Sequence, residues 1–214
     1  MNRSELLALF GQKARAVSAL VETVSSVEDA LSHAVTVCAE KEACAILASG
    51  CEHALSEPAA ELCGLKQWEK LMAAPNMDDQ SMEALTSLCR QTGIGLIQRG
   101  LAAHAGGIDV GLTFADCAVA ETGTLVINCP DEDLRLATMI SEVHVAVLRA
   151  QDIYADSYDI ADQLAGFFAE SDYTAFITGA SRTADIERVL TLGVHGPLEL
   201  HVLIVDGNPT EESL

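Results

Sequence analysis

Apolar side chains near the amino terminus repeat at helical spacing, three or four positions apart. They are Leu6, Phe10, Ala14, Val17, Val21 and Val24. This pattern predicts an amphipathic helix over residues 4–24 that either covers a core or contacts another subunit. Ser25-Ser26-Val27-Glu28 then has the spacing of a capping box, which predicts a second helix that ends near residue 40. Residues 1–40 are therefore expected to form an N-terminal helical arm.

Beyond residue 40, short apolar runs alternate with amphipathic segments, which is typical of an α/β domain. The runs predict strands over 43–48, 94–98, 124–128, 144–148, 173–177 and 200–205. The amphipathic segments predict helices over 78–90, 157–168 and 183–191, with a polar helix start at 130–133. A glycine-rich stretch over 99–111 predicts an exposed loop, followed by a short helical turn at 114–120. The α/β domain should span 41–206, with a frayed tail at 207–214.

Charge excludes several classes of partner. The chain has 12 Lys and Arg against 32 Asp and Glu, a net charge of −20, which repels nucleic acid and anionic membranes. No apolar run approaches the length of a membrane span and no secretory signal opens the chain, so we expect a cytoplasmic protein. An anionic metabolite would need a local positive group, which Arg182 or Arg135 can supply.

Cysteine and histidine spacing gives no sign of a metal site. The seven cysteines are an odd number without a C-x-x-C pair, which argues against disulfides and against iron–sulfur ligation by this chain. They are expected to be small core residues. His33, His53 and His201 have no ligand spacing with cysteine or carboxylate residues, and no G-x-G-x-x-G, Walker or G-x-S-x-G motif is present.

The segment Thr178 to Glu187 reads as a strand that breaks at Gly179 into a helix. An unpaired helix start attracts anions, and the side chains of Ser181, Arg182 and Thr183 would converge on a carboxylate or phosphate there. The alternative is a capped helix in which Ser181 or Thr183 is the N-cap and Arg182 pairs with Asp185. The sequence leaves both interpretations open, with Asp185 near the ligand in the first.

A second candidate segment is Glu121-Thr122-Gly123-Thr124, which precedes a predicted strand. Glu121 can be a general base, a covalent nucleophile or a loop carboxylate that accepts backbone N–H bonds. Thr122, Gly123 and Thr124 would bind ligand beside it. This segment and the Gly179 segment can share a pocket only if their strands run antiparallel or a loop folds back.

Two histidines and one arginine are further candidates. His195 has Gly193 and Gly196 nearby, so its imidazole can reach a ligand for acid–base work or bond to the backbone of a turn. His144 enters an apolar strand, where it either contacts ligand or is a satisfied, half-buried residue. Arg135 is either a second anion clamp or part of a surface ion pair.

Three motifs occur in order over about residues 100–206: Ala-Glu-Thr-Gly-Thr at 120–124, Thr-Gly-Ala-Ser-Arg-Thr-Ala-Asp-Ile-Glu at 178–187, and Gly-Val-His-Gly-Pro at 193–197. Together with Arg135 and His144, they resemble the LUD-domain family, in its lactate-utilisation protein C branch. Ala180 and Ser141 stand where, or near where, the family usually has proline. The resemblance implies a three-layer α/β fold with a mostly parallel sheet, of the NagB/RpiA/CoA-transferase-like type.

The same resemblance implies a component of the bacterial system that oxidises L-lactate to pyruvate. Iron–sulfur clusters would then lie on partner subunits, and no cofactor is expected on this chain. The alternative, by analogy of fold, is an independent transferase or isomerase that acts on a CoA-linked or phosphorylated metabolite through Glu121. A third is regulation through the 99–111 loop. The sequence leaves homo-oligomerisation open.

Overall fold

The computed structural model describes residues 1–41, 69–104, 107–170, 172–183, 191–192 and 196–207. Its helices are α1 (Arg3–Ala16), α2 (Val27–Glu40), α3 (Asp79–Thr92), α4 (Glu132–Met139) and α5 (Ala161–Ala169). Its strands are β1 (Ala19–Val24), β2 (Leu71–Ala73), β3 (Gly95–Ile97), β4 (Ile108–Phe114), β5 (Cys117–Val119), β6 (Thr124–Cys129), β7 (Ser141–Arg149), β8 (Ile153–Tyr154), β9 (Tyr173–Ile177), β10 (Arg182–Thr183), β11 (Thr191–Leu192) and β12 (Glu199–Val205).

The main sheet has six strands in the order β1-β12-β7-β4-β2-β3, and every neighbouring pair is parallel. This confirms the predicted α/β class and its mostly parallel sheet. A second sheet has the order β8-β5-β6-β9, in which β6 runs antiparallel to both of its neighbours. Side chains of β7 point alternately to the two faces of the main sheet, so they contribute to two separate cores, one on each face.

One core lies between the main sheet and helices α2 and α3, and includes Val143, Val145 and Val147 of β7. The other includes Ala146 and Leu148 of β7 and lies between the main sheet, the second sheet and α1. Helix α5 packs on the outer face of the second sheet through Leu164 and Phe167. The second sheet, with the motif segments at its strand ends, is therefore sandwiched between α5 and the main sheet.

The predicted helix over 4–24 is wrong beyond residue 16. Ser18 adopts a positive φ of 69°, which ends α1, and the next six residues form β1, paired in parallel with β12. The β-branched residues Val21, Thr23 and Val24 favour this extended strand. Helix α1 itself buries Phe10 and Ala14 in the core, which decides for the core-covering alternative.

Several other local predictions are confirmed. Strand β9 matches the prediction over 173–177, and β6, β7 and β12 contain those over 124–128, 144–148 and 200–205. The predicted start of α2 is confirmed to within one residue, although the cap is Ser26, which accepts from the Asp29 N–H, and not the Ser25–Glu28 capping box. Asp78 caps α3 at its amino end by accepting from the Ser81 N–H. Asp131 caps α4 in the same way, through the Leu134 N–H.

Three local predictions are wrong. The loop predicted over 99–111 gives way to buried strand β4 from Ile108, and the helical turn predicted at 114–120 is the end of β4 followed by β5. The helix predicted over 183–191 has strand residues at both of its ends, since β10 and β11 pair antiparallel there. Three further predictions fall outside the described residues. They are the strand over 43–48, the interior of the predicted 183–191 helix (residues 184–190), and the tail beyond residue 207.

Within the part of the chain that the structure describes, no helix is both long and apolar enough to cross a membrane.

Candidate functional site

The first two motif segments meet because β6 and β9 run antiparallel. Leu125 at the start of β6 pairs with Ile177 at the end of β9. The residues next to this pair touch, since the Thr124 and Thr178 hydroxyl oxygens lie 2.8 Å apart. The Thr122 hydroxyl extends the row, 2.7 Å from that of Thr124. The geometric condition for a shared site is therefore met.

Glu121 lies in the tight turn between β5 and β6. Its N–H donates to the Ala155 carbonyl at 3.0 Å, and the Gly123 N–H donates to the Val119 carbonyl at 3.0 Å. Gly123 has a φ of 68°, a left-handed conformation that glycine adopts without strain. These bonds fix the backbone of the turn, while the Glu121 residue is exposed. Glu121 is therefore an exposed residue that immediately precedes Thr122, the first member of the row of threonine hydroxyls.

The glycines of both motifs contact the carboxyl end of α1. A Cβ on Gly179 would lie 2.9 Å from the carbonyl carbon of Val17 and closer still to its oxygen. A Cβ on Gly123 would lie 2.6 Å from the carbonyl carbon of Lys13 and closer still to the amide nitrogen of Ala14. Gly179 also has a φ of 80°. Glycine at these positions is thus required for the packing of α1, independently of any ligand.

The third motif joins the second through the backbone. The Ser181 N–H donates to the Pro197 carbonyl at 3.0 Å, and a Cβ on Gly196 would lie 3.3 Å from the Ser181 Cβ. Arg182 is exposed and pairs with Leu192 across the β10–β11 hairpin, as Thr183 pairs with Thr191. Asp185 and His195 lie outside the described residues.

The helix start predicted after Gly179 is wrong for the residues that the structure describes, while the anion site proposed there stays a prediction. The Ser181 N–H already has a carbonyl partner, and Arg182 and Thr183 are strand residues, so no helix begins there. The described helix end beside the motifs is the carboxyl end of α1, whose dipole disfavours an anion. Positive charge at this place must therefore come from side chains, of which Arg182 and Lys13 are exposed.

Arg135 is not part of this group of residues. Its guanidinium lies 5.5 Å from the centre of the Tyr173 ring and 3.3 Å from the Glu132 carboxylate. Tyr173 begins β9 and lies five residues before Thr178, which is about 17 Å at 3.3 Å per residue. The observed contacts are those of the surface ion pair that the sequence left open as an alternative.

His144 is fully buried and cannot be reached from solvent. One ring nitrogen, Nε2, lies 2.8 Å from the Thr113 hydroxyl oxygen. Burial lowers its pKa from 6.5 to about 4, so the ring is neutral near pH 7. This matches the alternative of a satisfied histidine in the strand. The ring is fully buried, whereas the sequence suggested a half-buried residue.

The sequence did not single out a buried ionic cluster at the amino edge of the main sheet. Asp109 is 0% exposed, accepts from the Leu71 N–H at 2.7 Å and lies 3.2 Å from the Lys41 ammonium. Lys41 also lies 3.1 Å from the Glu142 carboxylate, and both carboxylates raise its pKa against the opposing effect of burial. The available signal was the acidic residue inside an apolar run, at the second position of β4.

The cysteines that the structure describes are buried and free: Cys38, Cys89, Cys117 and Cys129. Burial raises the pKa of each thiol, to about 12 for Cys117 and about 11 for Cys129. Thiols with such pKa values carry almost no thiolate near neutral pH. The prediction that the cysteines are core residues is confirmed for these four. Among the described residues, no group of three or more His, Cys, Asp or Glu could hold a metal ion.

Comparison with known proteins places these features in a family. A sequence profile of the LUD domain matches residues 7–205. Proteins named lactate utilization protein C from Shouchella clausii and Deinococcus radiodurans are 32% and 33% identical to this chain, over 101 and 98 residues. Those matches cover 46% and 45% of this chain, but only 44% and 46% of the relatives. The matched part thus spans less than half of the relatives' length.

A crystal structure of a DUF162 family protein from Deinococcus radiodurans has a similar fold. The TM-score is 0.58, and the superposition covers 96% of this chain and 99% of the other. The sequence identity is 17%, so this likeness supports the fold alone.

Proposed function

The chain belongs to the LUD domain family, and on that premise we propose that it is a component of an L-lactate utilisation system of the bacterial type. The name carried by its relatives, lactate utilization protein C, supports this role. In the proposal, the chain binds a small anionic metabolite where its three motifs meet. It assembles with iron–sulfur subunits that carry the redox centres for converting lactate to pyruvate.

The observation that carries the binding proposal is the row of hydroxyls formed by Thr122, Thr124 and Thr178. Two of these residues are more than fifty positions apart in the sequence, yet the β6–β9 pairing brings their oxygens to 2.8 Å. Hydroxyls can both donate to a carboxylate and accept from an alcohol, and these are the two polar groups of lactate. Ser181 of the adjoining segment adds a further hydroxyl.

Charge for an anion is supplied by exposed side chains around this row. Arg182 follows Ser181 directly, and Lys13 lies in the turn of α1 that contacts Gly123. Because the chain as a whole carries −20, a carboxylate needs local positive charge, and among the described residues Arg182 and Lys13 would supply it in this proposal. A guanidinium suits a carboxylate because it can donate two parallel N–H bonds.

The second candidate function is an independent transferase or isomerase that uses Glu121. The favouring observation is that the turn holds the Glu121 backbone firmly while the residue is exposed and immediately precedes Thr122 of the hydroxyl row. In such an enzyme, the carboxylate would attack a thioester carbonyl, form a mixed anhydride and release the CoA thiolate. The energy-yielding thioester is supplied by the substrate, so the step needs no other reactant.

Growth on L-lactate as the carbon source tests the proposal in a strain that lacks the corresponding gene. Thr124→Val removes the central hydroxyl of the row and keeps the side-chain shape. Thr174→Val is the matched control, since its hydroxyl bonds Asn128 at the opposite end of β9. We expect Thr124→Val to slow growth on lactate but not on glucose, and Thr174→Val to grow as wild type. Equal growth of the two variants on lactate contradicts the proposal.

Glu121→Gln separates the two candidate functions. If the variant supports normal growth on lactate, the carboxylate has no chemical role. If the purified wild-type chain turns over a CoA thioester and Glu121→Gln abolishes that turnover, the transferase replaces the binding subunit. Trapping the mixed anhydride with hydroxylamine would identify the nucleophile in that case.

A further inference from the structure

Aromatic and acidic residues are concentrated in one stretch of this chain. Residues 151–181 contain all three tyrosines and three of the five phenylalanines. The same stretch contains six acidic residues but no lysine, arginine or histidine. The acids are Asp152, Asp156, Asp159, Asp162, Glu170 and Asp172. Aromatic residues are enriched at protein interfaces, where they supply most of the contact energy.

Much of this aromatic surface remains accessible. Phe168 of α5 is 58% exposed and Phe176 of β9 is 51% exposed. None of the nine residues of α5 is fully buried, although most of them are apolar. An apolar helix normally buries its surface, so this one has a face left for something else to cover. We name the two exposed phenylalanines, Phe168 and Phe176, the aromatic face.

Strand β9 is also an edge strand. It pairs with β6 on one side, and no described residue pairs with its other side. At β1, which is an edge strand of the main sheet, the Arg15 side chain of α1 donates to the backbone carbonyl of Val21 at 2.7 Å. No described side chain occupies the backbone of β9 in this way. An edge strand beside exposed aromatic residues is a template for strand addition.

Charge decides between the occupants that such a surface can take. Asp162 on α5 and Glu170 directly after it are exposed, and Asp172, which accepts from the Asn128 amide, precedes β9. Acidic residues therefore flank the two elements that carry the aromatic face. A second copy would place the same acids opposite these, and each copy already carries −20. A partner with lysine or arginine around an apolar strand would complement both the charge and the apolar centre.

We infer that the aromatic face and the edge of β9 that no described residue pairs with dock a partner protein, which adds a strand to β9 and surrounds it with basic side chains. The inference goes beyond the lactate role, since it depends only on residues 151–181 and holds for any partner of this chemistry. Its failure would leave the hydroxyl-row proposal intact, because growth of Thr124→Val does not depend on this surface.

A strand-forming peptide in which lysine alternates with valine or phenylalanine is a direct probe for this surface. Its binding to the full chain is measured by fluorescence anisotropy. A glutamate version of the peptide tests the charge. A version with alternate backbone nitrogens methylated keeps the charge but cannot form a ladder of hydrogen bonds. We expect saturable binding of the lysine peptide and at least tenfold weaker binding of both other versions.

Matched variants locate the binding. Phe176→Asp changes a residue that is 51% exposed on edge strand β9, and Leu20→Asp changes one that is 52% exposed on edge strand β1. We expect at least a tenfold loss of lysine-peptide affinity for Phe176→Asp and none for Leu20→Asp. Equal losses in both variants, no saturable binding, or full binding of the methylated peptide would each overturn the inference.

Sedimentation equilibrium tests the competing occupant. If the wild-type chain dimerises and Phe176→Asp is monomeric, the surface belongs to a second copy and the inference is overturned. A chain that stays monomeric while it binds the lysine peptide supports a separate partner. If Phe176→Asp fails to fold, the methylated peptide on the wild-type chain still decides whether β9 accepts a strand.

Discussion

Replacement of Gly179 by alanine tests how closely α1 packs on the second motif. The change adds one methyl group at a residue with a φ of 80°, beside the carbonyl group of Val17. Val17 lies between α1 and β1, and both of these elements pack into the core between the main sheet and the second sheet. Its carbonyl group therefore cannot move away from the added methyl group unless α1 or β1 also moves. Gly93 is the matched control, since its φ is 72° and nothing lies within 4 Å of an added Cβ.

The two substitutions share the cost of a left-handed alanine and differ in the clash. The left-handed conformation costs roughly 1 kcal/mol or somewhat more for a residue with a Cβ. Overpacking against fixed neighbours costs about 1–3 kcal/mol in addition. We therefore expect Gly179→Ala to lower the free energy of unfolding by about 3 kcal/mol and Gly93→Ala by about 1 kcal/mol. For a chain of this length, these losses correspond to melting temperatures lower by roughly 6–12 °C and 2–4 °C.

Urea denaturation of wild type and both variants, followed by circular dichroism, measures these losses. Equal slopes of free energy against urea would show that the denatured state is unchanged, so that midpoint differences report stability. A Gly179→Ala loss no larger than that of Gly93→Ala would refute the close packing of α1 on this glycine.

Two further predictions concern buried groups. Because burial lowers the pKa of His144 from 6.5 to about 4, the unfolded chain binds a proton before the folded chain does. The free energy of unfolding therefore falls by about 3 kcal/mol in all as the pH drops from 6.5 to about 4. Urea denaturation at a series of pH values should show that His144→Gln removes this loss. Identical pH profiles for wild type and variant would contradict this. Asp109→Asn removes the charge that faces Lys41, so we expect about 3 kcal/mol lower stability; a wild-type melting temperature would contradict that.

Local signals were sufficient for elements with clear ends. Helix α3 was predictable because Asp78 caps it and Gly93 stops it in a left-handed conformation. Strand β9 was predictable as a short β-rich run between polar residues. Strand β1 was missed because Val21 and Val24 continue the helical spacing of α1. The break between the two elements falls at Ser18, where no glycine or proline marks it.

The candidate site was predictable in its residues but not in its geometry. The three motifs named the threonines and glycines, yet the contact of Thr124 with Thr178 depends on an antiparallel pairing across some fifty residues. Local pattern cannot specify such a pairing, because register and partner are fixed by the whole core. The hairpin at Arg182 was missed for a related reason, since Ser181 and Thr183 are also the residues that cap helices.

Ligand-induced stabilisation tests the hydroxyl-row site most directly. L-lactate, pyruvate, phosphate and CoA are each titrated in a thermal melt of the wild-type chain, of Arg182→Ala and of Arg135→Ala. A true ligand at a hundred times its dissociation constant adds about 2.7 kcal/mol, a rise of roughly 5–10 °C at this chain length. We predict such a rise with at least one of these anions, lost in Arg182→Ala and kept in Arg135→Ala. An unmoved melting temperature with all four, or the same response from both arginine variants, would contradict an anion site at the meeting point of the motifs.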